Sequence, residues 1–375
     1  MALKQPLRCL FISDIHLFHR RNPTQDIIAN LRTYLKPFHK DEPLDLLVIG
    51  GDLFDRLAEF HTVEVHDACM WLACLLELCA NRTIKLRILE GTPRHDWGQS
   101  RILRTLANIL PIPVDCAYVN TLSIEHIAEW DLSILYIPDE WTDRADKTYV
   151  QVKETLAAHG LTQVDIAVMH GMFQYQLPTG VTMPSVHQEQ DYLKIVRYLI
   201  SVGHVHTPSQ YERIHAQGSF DRLAHGEEEP KGGLWCTLYP DGHYAWLFRE
   251  NKQAMIFKTI SLKTMPIEKT LNYLERHVKD MPFGSHVRIR AKRDHPAMMA
   301  LEAVRKAFPF LYWTKQSTDE DESVLPAETL TQEYYRGLTI TSENLSLLLM
   351  ERVQQRHTCP LEQQRIMVQL LEHVL

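Results

Sequence analysis

The sequence has no apolar run of the roughly 18 residues that a membrane-spanning helix needs. Its apolar segment at residues 70–76 is typical of a helix that is buried or faces another subunit. Residues 1–6 lead directly into a strand-like segment at residues 7–12, so we expect no signal peptide. These features predict a cytoplasmic protein that does not bind membranes.

The seven cysteines lack the short, repeated spacing of a zinc site or a disulfide framework. Their odd number, without such spacing, indicates reduced thiols. Cys69, Cys74 and Cys79 are five residues apart within a helical pattern, which does not suit a shared zinc ion. The sequence also has no internal repeat and no low-complexity tract.

An excess of positive charge is missing as well, since 40 Lys and Arg residues accompany 47 Asp and Glu residues and the net charge is −7. This balance argues against nonspecific electrostatic binding to nucleic acid. Bound divalent ions and local basic patches can still reverse the sign of the field where a phosphate sits. The 45% of apolar residues and 23% of charged residues are those of a soluble globular protein with a sizeable core.

What the sequence does contain, up to about residue 250, is an alternation of short apolar strands with amphipathic helices. Buried strands are predicted at residues 8–13, 44–50 and 84–90, and each ends in a polar cluster. Later strands, which we expect to be more antiparallel, are predicted at residues 133–137, 164–169, 211–217, 234–238 and 244–248. The pattern predicts an α/β layered sandwich with its function in the loops that follow strand carboxyl ends.

The pattern changes near residue 260, where a helix at 267–278, a strand at 286–291, a helix at 296–308 and a strand at 310–313 predict a second, smaller α/β domain. An acidic stretch and two short helices follow it. We therefore predict four regions: a main domain at 1–255, a small domain at 256–316, an acidic linker at 317–340 and a helical segment at 341–375.

The polar clusters at the strand ends are the features most indicative of function. Each alone is a weak signal, because an Asp-x-His or a Gly-Asp is often an ordinary turn. Their order along the chain is difficult to assign to chance. The clusters are Ser13-Asp14-Ile15-His16, Gly50-Gly51-Asp52, Gly91-Thr92-Pro93-Arg94-His95-Asp96, His170-Gly171 and Gly203-His204-Val205-His206.

Two carboxylates and four histidines in these clusters provide a mixed set of oxygen and nitrogen ligands. Such a set suits manganese, iron or zinc, and one shared aspartate can bridge two ions. The clusters therefore predict a dinuclear metal site.

The ordered clusters resemble the motifs of the calcineurin-like metallophosphoesterases: Asp-x-His, Gly-Asp, Gly-Asn-His-Asp or Glu, a lone His, and Gly-His-x-His. This resemblance spans residues 11–206. Residues 217–222, Gln-Gly-Ser-Phe-Asp-Arg, and residues 226–232, Gly-Glu-Glu-Glu-Pro-Lys-Gly, look like the signature of SbcD-type DNA repair nucleases of bacteria and phages. Residues 51–55, Gly-Asp-Leu-Phe-Asp, also fit that group. If the protein is encoded by a phage, this resemblance places it in the cytoplasm of the host cell.

The resemblance implies an α-β-β-α sandwich and a DNA exonuclease, with possible endonuclease activity, that uses two divalent ions, preferably Mn²⁺. It assigns one ion to a first set of ligands, the other ion to a second set, and a bridging role to Asp52. The first set is Asp14, His16 and His206, and the second is His170 and His204.

The same resemblance gives His95 the role of stabilising or protonating the leaving oxygen. Asp96 would orient His95, as a carboxylate does behind a catalytic imidazole.

The chain departs from the family at residues 91–95, where the usual asparagine ligand of the second ion is missing. Thr92 is a weak substitute, and Arg94 cannot bind metal because it stays protonated. Three interpretations are open: fewer ligands plus water hold the second ion, a neighbour fills the place, or Arg94 meets a substrate phosphate. We favour the first, which predicts a looser second ion and a nuclease that needs abundant manganese.

Candidate contacts to the DNA backbone lie at two places. His19 and Arg20 follow the Asp14 loop, and Arg288 and Arg290 lie on the predicted strand of the small domain. By resemblance, the helix at residues 63–78 would form a homodimer. The terminal helices would dock an SbcC-like coiled-coil ATPase.

Two other functional classes are alternatives. A metallophosphatase or phosphodiesterase for small substrates would leave the signature at 217–232 and the added regions without a purpose. A weakly catalytic DNA-binding scaffold subunit is suggested by the missing asparagine.

Overall fold

The computed structural model describes residues 5–59 and 61–318. Its strands are β1 (Leu7–Ile12), β2 (Leu46–Gly50), β3 (Lys85–Leu89), β4 (Cys116–Val119), β5 (Ser123–Ile127), β6 (Leu132–Ile137), β7 (Val164–His170), β8 (Val196–Gly203), β9 (Ser209–Tyr211), β10 (Ile214–Ala216), β11 (Gly232–Leu238), β12 (Tyr244–Glu250), β13 (Phe257–Ser261), β14 (His286–Ala291) and β15 (Tyr312–Ser317).

The α-helices in the same part of the chain connect these strands. They are α1 (Thr24–His39), α2 (Val63–Arg82), α3 (Pro93–Asp96), α4 (Ile102–Ile109), α5 (Ala145–Ala158), α6 (Glu189–Ile195), α7 (Ile267–Val278), α8 (Pro296–Met299) and α9 (Leu301–Ala307). None of the described helices combines the length and the apolar character needed to cross a membrane.

Two six-stranded mixed sheets form the main body. The first has the order β12-β11-β1-β2-β3-β4, and its strands β1 to β4 are parallel. The second has the order β5-β6-β7-β8-β10-β9, and its strands β6, β7 and β8 are parallel. The expectation that the later strands are more antiparallel therefore holds for β11 with β12 and for β9 with β10, but not for the centre of the second sheet.

Alternation along the strands separates two faces of each sheet. In β1, Leu7, Cys9 and Phe11 belong to a core that also contains residues of the second sheet, whereas Leu10 and Ile12 pack with the helices. Successive side chains of a strand point to opposite faces, so a strand that is apolar throughout is buried on both. The two sheets therefore share a core between them.

Helices cover the outer face of each sheet. Residues of α1 and α2 pack on the first sheet, and residues of α5 and α6 pack on the second. This is the mixed α/β arrangement that the alternation of strands and helices predicts.

A small sheet with the order β13-β14-β15 has a core of its own, together with α7, α8 and α9. On β14 the side chains of Val287, Ile289 and Ala291 are buried, and the alternate positions include Arg288 and Arg290. The chain divides into two compact units after Gln316, and this division does not test the boundary predicted at residue 255. That boundary stays a prediction. The linker and terminal helices predicted from residue 317 onward lie outside the described residues, apart from residues 317 and 318.

Two predicted elements are divided in the structure. The strand predicted at 211–217 is a hairpin of β9 and β10, because Glu212 adopts a left-handed conformation with φ of 48°. The helix predicted at 296–308 is interrupted at Ala300, whose φ of −117° and ψ of 48° are not helical. In both places the apolar pattern continues through a change of backbone direction.

Candidate metal centre

The predicted ligand residues meet at one edge of the two sheets. Parallel strands end at the same edge, and the loops after β1, β2, β3, β7 and β8 carry the polar clusters. Because the sheets lie face to face, loops from both contribute to one site. Its six predicted ligand residues form two groups of side chains that could each hold a metal ion.

The first group consists of Asp14, His16 and His206, whose ligand atoms lie within 4.8 Å of one another. The Nε2 atoms of the two histidines are 3.2 Å apart, and His206 Nε2 is 3.8 Å from Asp14 Oδ1. Asp14 is fully buried and accepts hydrogen bonds from the backbone N–H of His204. The group thus contains one carboxylate and two imidazoles.

The second group consists of Asp52, His170 and His204, with ligand atoms again within 4.8 Å. Asp52 Oδ1 is 3.3 Å from His170 Nε2, and Asp52 Oδ2 is 3.7 Å from His16 Nε2. The Asp52 carboxylate therefore lies between the two groups, with contacts to His170 and to His16, as a bridging ligand requires.

Hydrogen bonds fix which ring nitrogen faces the site. His170 Nδ1 donates to the carbonyl oxygen of Gly50 at 2.8 Å, and His206 Nδ1 lies 3.1 Å from Glu227 Oε1. In each ring Nε2 is left to face the site. Metal-binding histidines commonly have their second nitrogen held by a carbonyl or a carboxylate in this way.

The backbone at the site adopts conformations that side chains usually avoid. Asp14, His16, Asp52 and His204 have φ angles of 51°, 53°, 50° and 97°. Each such residue costs on the order of 1–3 kcal/mol, and functional sites are where such strain is concentrated. A Cβ atom on Gly51 would lie 2.2 Å from His170 Nδ1, so only glycine fits between the two loops.

The electrostatic field of the site is negative. Burial raises the pKa of Asp52, but His170, His16 and the Thr92 N–H together hold it below the ordinary value. Burial lowers the pKa of His170, but Asp52, Asp14 and Asp139 raise it well above the ordinary value. A site in which carboxylates favour a positive charge on a buried imidazole also favours a cation.

Thr92 lies at the centre of the second group. Its hydroxyl oxygen is 3.2 Å from Asp52 Oδ2, 3.3 Å from His204 Nδ1 and 3.4 Å from His170 Nε2. The same oxygen is 3.2 Å from Oδ2 of Asp139. The loop between β3 and α3 therefore directs a hydroxyl into the place where the ligands converge.

Asp139 is a site residue that the sequence interpretation missed. It stands two residues after the end of β6, as Asp14 and Asp52 stand two residues after β1 and β2. Its Oδ2 is 3.5 Å from His204 Nδ1. That position after a buried strand was a signal, but no histidine or glycine beside it completes a motif.

The structure corrects the role predicted for Asp96. Its carboxylate accepts hydrogen bonds from the backbone N–H groups of Asp52, Phe54 and Gly91, at 2.8 to 3.1 Å, rather than from His95. Burial, with the charges of Asp52 and Glu90, raises the pKa of Asp96 to about 8. Asp96 thus connects two site loops, because α3 turns its side chain inward, away from the imidazole.

His95 is oriented by Asp55 instead. His95 Nδ1 donates to the backbone oxygen of Asp55 at 2.9 Å and lies 4.0 Å from the Asp55 carboxylate. Its side chain is 37% exposed, and its ring meets that of His16 edge-on at 5.0 Å. His95 therefore borders the first group and remains accessible to a substrate.

The segment at residues 217–232 contacts His206 directly. Lys231 is fully buried, and its Nζ donates to the His206 carbonyl oxygen at 2.8 Å and pairs with Glu227 at 3.1 Å. Glu227 also accepts a hydrogen bond from Ser219. These contacts explain why a Gly-Ser, a Glu and a Lys follow the last histidine motif: together they hold its ring in place.

The predicted DNA-contacting residues are not members of these ligand groups. His19 Nδ1 accepts from the backbone N–H of Arg21 and Asn22, which closes a turn. Arg20 and Arg94 are exposed.

On the small sheet, Arg288 lines an open cavity of about 870 Å³, whereas Arg290 is not among the residues that line it. The cavity combines cations with aromatic rings. Its lining includes Arg21, His225, His286, Arg305, Tyr312 and Lys315.

Comparison with known proteins identifies no family for the chain. No protein-family model matches it, and no curated protein matches it. One solved chain is 13% identical, covers 65% of this chain and 100% of its own length, and has a TM-score of 0.39. Another solved chain is GAP50, the anchor in the inner membrane complex of Plasmodium. It is 14% identical, covers 66% of this chain and 86% of its own length, and has a TM-score of 0.39.

Proposed function

We propose that this protein is a calcineurin-like metallophosphoesterase that hydrolyses phosphodiester bonds in DNA, as the nuclease subunit of an SbcCD-like complex for processing DNA ends in the cytoplasm. The observation that carries the proposal is the pair of His/Asp groups joined by Asp52. The two sheets with helices on both outer faces are compatible with the α-β-β-α sandwich of that family.

Asp14, His16 and His206 would hold one ion, and His170 and His204 would hold the other, with Asp52 between them. Two divalent ions, for which we favour Mn²⁺, would supply an activated water and neutralise charge on the phosphate. Within the chain, Gly50 and Glu227 fix the rings of His170 and His206. The residues thus form a preorganised site in which few side chains have to move.

His95 is the residue best suited to exchange a proton with the leaving oxygen. Its Nδ1 is engaged by the Asp55 carbonyl, so its Nε2 is the atom left for a substrate. Partial exposure beside the first group allows that nitrogen to reach a bound ester. Loss of the imidazole should therefore reduce the rate while leaving the metal ligands unchanged.

The cavity at the small sheet supports a nucleic-acid substrate. Arg21, Arg288 and Lys315 supply positive charge, and Tyr312, which is 58% exposed, supplies a ring on which a base can stack. Arg21 is five residues after His16, so the two Cα atoms lie within about 18 Å. DNA contacts by the exposed Arg20 and Arg94 are part of the same proposal.

The experiment is digestion of linear duplex DNA with Mn²⁺ by the wild-type protein, by His95→Ala and by His61→Ala. His61 is a matched control because its side chain is 84% exposed. We expect cleavage by the wild type and the control, and a loss of about 10²- to 10⁴-fold in His95→Ala. DNA cleavage that is unchanged in His95→Ala would contradict the role of this residue.

The same assay separates the alternatives when a small phosphodiester, bis-p-nitrophenyl phosphate, is added as a second substrate. Hydrolysis of the small ester alone would favour a small-molecule phosphodiesterase. A protein that binds Mn²⁺ and DNA but cleaves neither substrate would be a scaffold subunit. Addition of the SbcC-like ATPase should stimulate cleavage if the protein acts in such a complex.

A further inference from the structure

We propose that Asp139 supplies the ligand that the missing asparagine provides elsewhere, so that Asp139 and Thr92 complete the second ion's ligand set. This inference rests on the proposed two-ion function. It assigns a metal-binding role to a residue that belongs to none of the recognised motifs. It also replaces the expectation of a second ion that fewer ligands hold loosely.

The spacing of the donor atoms carries the inference. In an octahedral site with metal–oxygen distances near 2.1 Å, neighbouring ligands lie about 3 Å apart. The Thr92 hydroxyl oxygen is 3.2 to 3.4 Å from each of four atoms that can bind a metal ion, one of which is Asp139 Oδ2. Asp139 and His204 are neighbours in the same sense, at 3.5 Å.

Hydrogen bonding of Thr92 accounts for only part of this arrangement. A hydroxyl has one hydrogen, so it can donate to only one of the two carboxylate oxygens at a time, while its lone pairs can accept from an imidazole N–H. The four atoms around it are two carboxylate oxygens and two imidazole nitrogens, all of which can act as ligands. A shared cation would engage all four together.

The surroundings of Asp139 point the same way. Its side chain is only 11% exposed, and among the described residues no Lys or Arg pairs with it. A carboxylate removed from water is costly unless a cation pairs with it, and its neighbour His204 is a cation only when the imidazole is protonated. A divalent ion would supply the missing charge, and an anionic oxygen attracts such an ion more strongly than the neutral amide that it would replace.

The test is a titration of the whole protein with Mn²⁺. Electron paramagnetic resonance measures the free Mn²⁺, and calorimetry measures the binding affinities. Wild type, Asp139→Ala and Asp139→Asn are compared with Glu140→Gln, which changes the adjacent, exposed carboxylate. We expect two ions in the wild type and in Glu140→Gln. In Asp139→Ala one ion should bind at least about tenfold more weakly, since even residues that only orient ligands contribute 10- to 100-fold to affinity. Asp139→Asn, which keeps an oxygen but loses the charge, should be intermediate.

Two wild-type-like affinities in Asp139→Ala would overturn the inference, as would a wild-type protein that binds a single ion. Thermal unfolding in EDTA identifies variants that fold normally. If Asp139→Ala does not fold, Asp139→Asn takes its place as the test variant. The result also separates this inference from the proposed function. Two ions bound by a protein that cleaves no DNA, with one weakened by Asp139→Ala, would refute the nuclease and leave the ligand assignment intact.

Discussion

At the scale of single residues, the buried carboxylate of Asp96 is a structural connection between site loops. Its two oxygens accept three backbone N–H groups, from Asp52, Phe54 and Gly91. Without an acceptor, each buried N–H costs about 1–3 kcal/mol. The positions of Asp52 and Thr92 therefore depend on a residue that belongs to neither ligand group.

Replacement of Asp96 should affect stability and metal binding together. In Asp96→Ala we expect the free energy of unfolding to fall by at least about 3 kcal/mol, because three N–H groups lose their acceptor. Mn²⁺ affinity should fall as well. Urea unfolding and Mn²⁺ titration check both, with Asp41→Ala, which changes an exposed carboxylate, as the control. A variant with normal stability and metal binding but the catalytic defect of His95→Ala would restore the role predicted from the sequence.

A second buried carboxylate, that of Asp221, predicts a dependence of stability on pH. Its oxygens accept from Asn30 Nδ2 and from the backbone N–H groups of Arg222 and Met255. Burial raises its pKa to about 6 from an ordinary value of 3.8. The folded state therefore favours the protonated form more than the unfolded state does.

As the pH rises from about 4 to 6, ionisation of Asp221 should lower the free energy of unfolding by up to about 3 kcal/mol. Urea unfolding in EDTA at pH 4 and pH 6.5 measures this loss. Asp221→Asn should lose less stability across that window than the wild type does, and the exposed Asp143→Asn should behave as the wild type. Equal losses in wild type and Asp221→Asn would show that the Asp221 carboxyl does not titrate in this range.

At the scale of elements, α2 exposes two large apolar side chains on one side. Its buried face includes Trp71, Leu72 and Leu75, yet Val63 and Met70, seven residues apart on one side, are 69% and 53% exposed. The homodimer through this helix that the family resemblance predicts would cover these two side chains.

We expect Met70→Glu to dissociate the dimer, because a charge would have to be buried at the centre of the interface. Light scattering coupled to size exclusion measures the mass. Val150→Glu, on α5, is the matched control because Val150 is 48% exposed on another helix. A monomeric wild type, or dissociation by the control, would refute a dimer through α2.

The sequence identified strands best where both faces are buried. β1, β2, β3 and β7 are mainly apolar, nearly all of their residues are buried, and polar clusters lie at their ends, so both their position and their functional ends were predictable. β5 was missed because Ser123, Glu125 and His126 interrupt its apolar pattern. Asp139 was missed for a related reason: its proximity to His204 depends on the strand order of the second sheet, in which β6 and β8 flank β7, and one isolated carboxylate does not encode that order.

At the scale of the whole molecule, the negative net charge and the basic cavity predict strongly local electrostatics. Each phosphate contact formed by a cation contributes close to one unit to the dependence of log K on log salt. A protein of net charge −7 that binds DNA through the cavity should owe most of that dependence to a few residues there.

Arg288→Ala should therefore weaken DNA binding and reduce the salt slope by about one. Fluorescence anisotropy with duplex and single-stranded DNA, over a series of salt concentrations in Ca²⁺ or EDTA to prevent cleavage, measures the slope. Arg32→Ala, an exposed arginine on α1, is the control and should keep the wild-type slope. An unchanged slope in Arg288→Ala would show that DNA does not use this cavity.

The hydrogen bond from the His204 N–H to Asp14 affects when the site can assemble during synthesis and folding of the chain. It joins residues 190 positions apart, one from the loop after each sheet's central strand. Closing a loop of that length costs entropy before the contact contributes any stability. A ribosome-bound chain that has emerged only through β6 holds Asp14, His16 and Asp52 but none of the histidines from the second sheet. The metal groups are thus assembled only when the two sheets dock, and a chain released early carries an incomplete site.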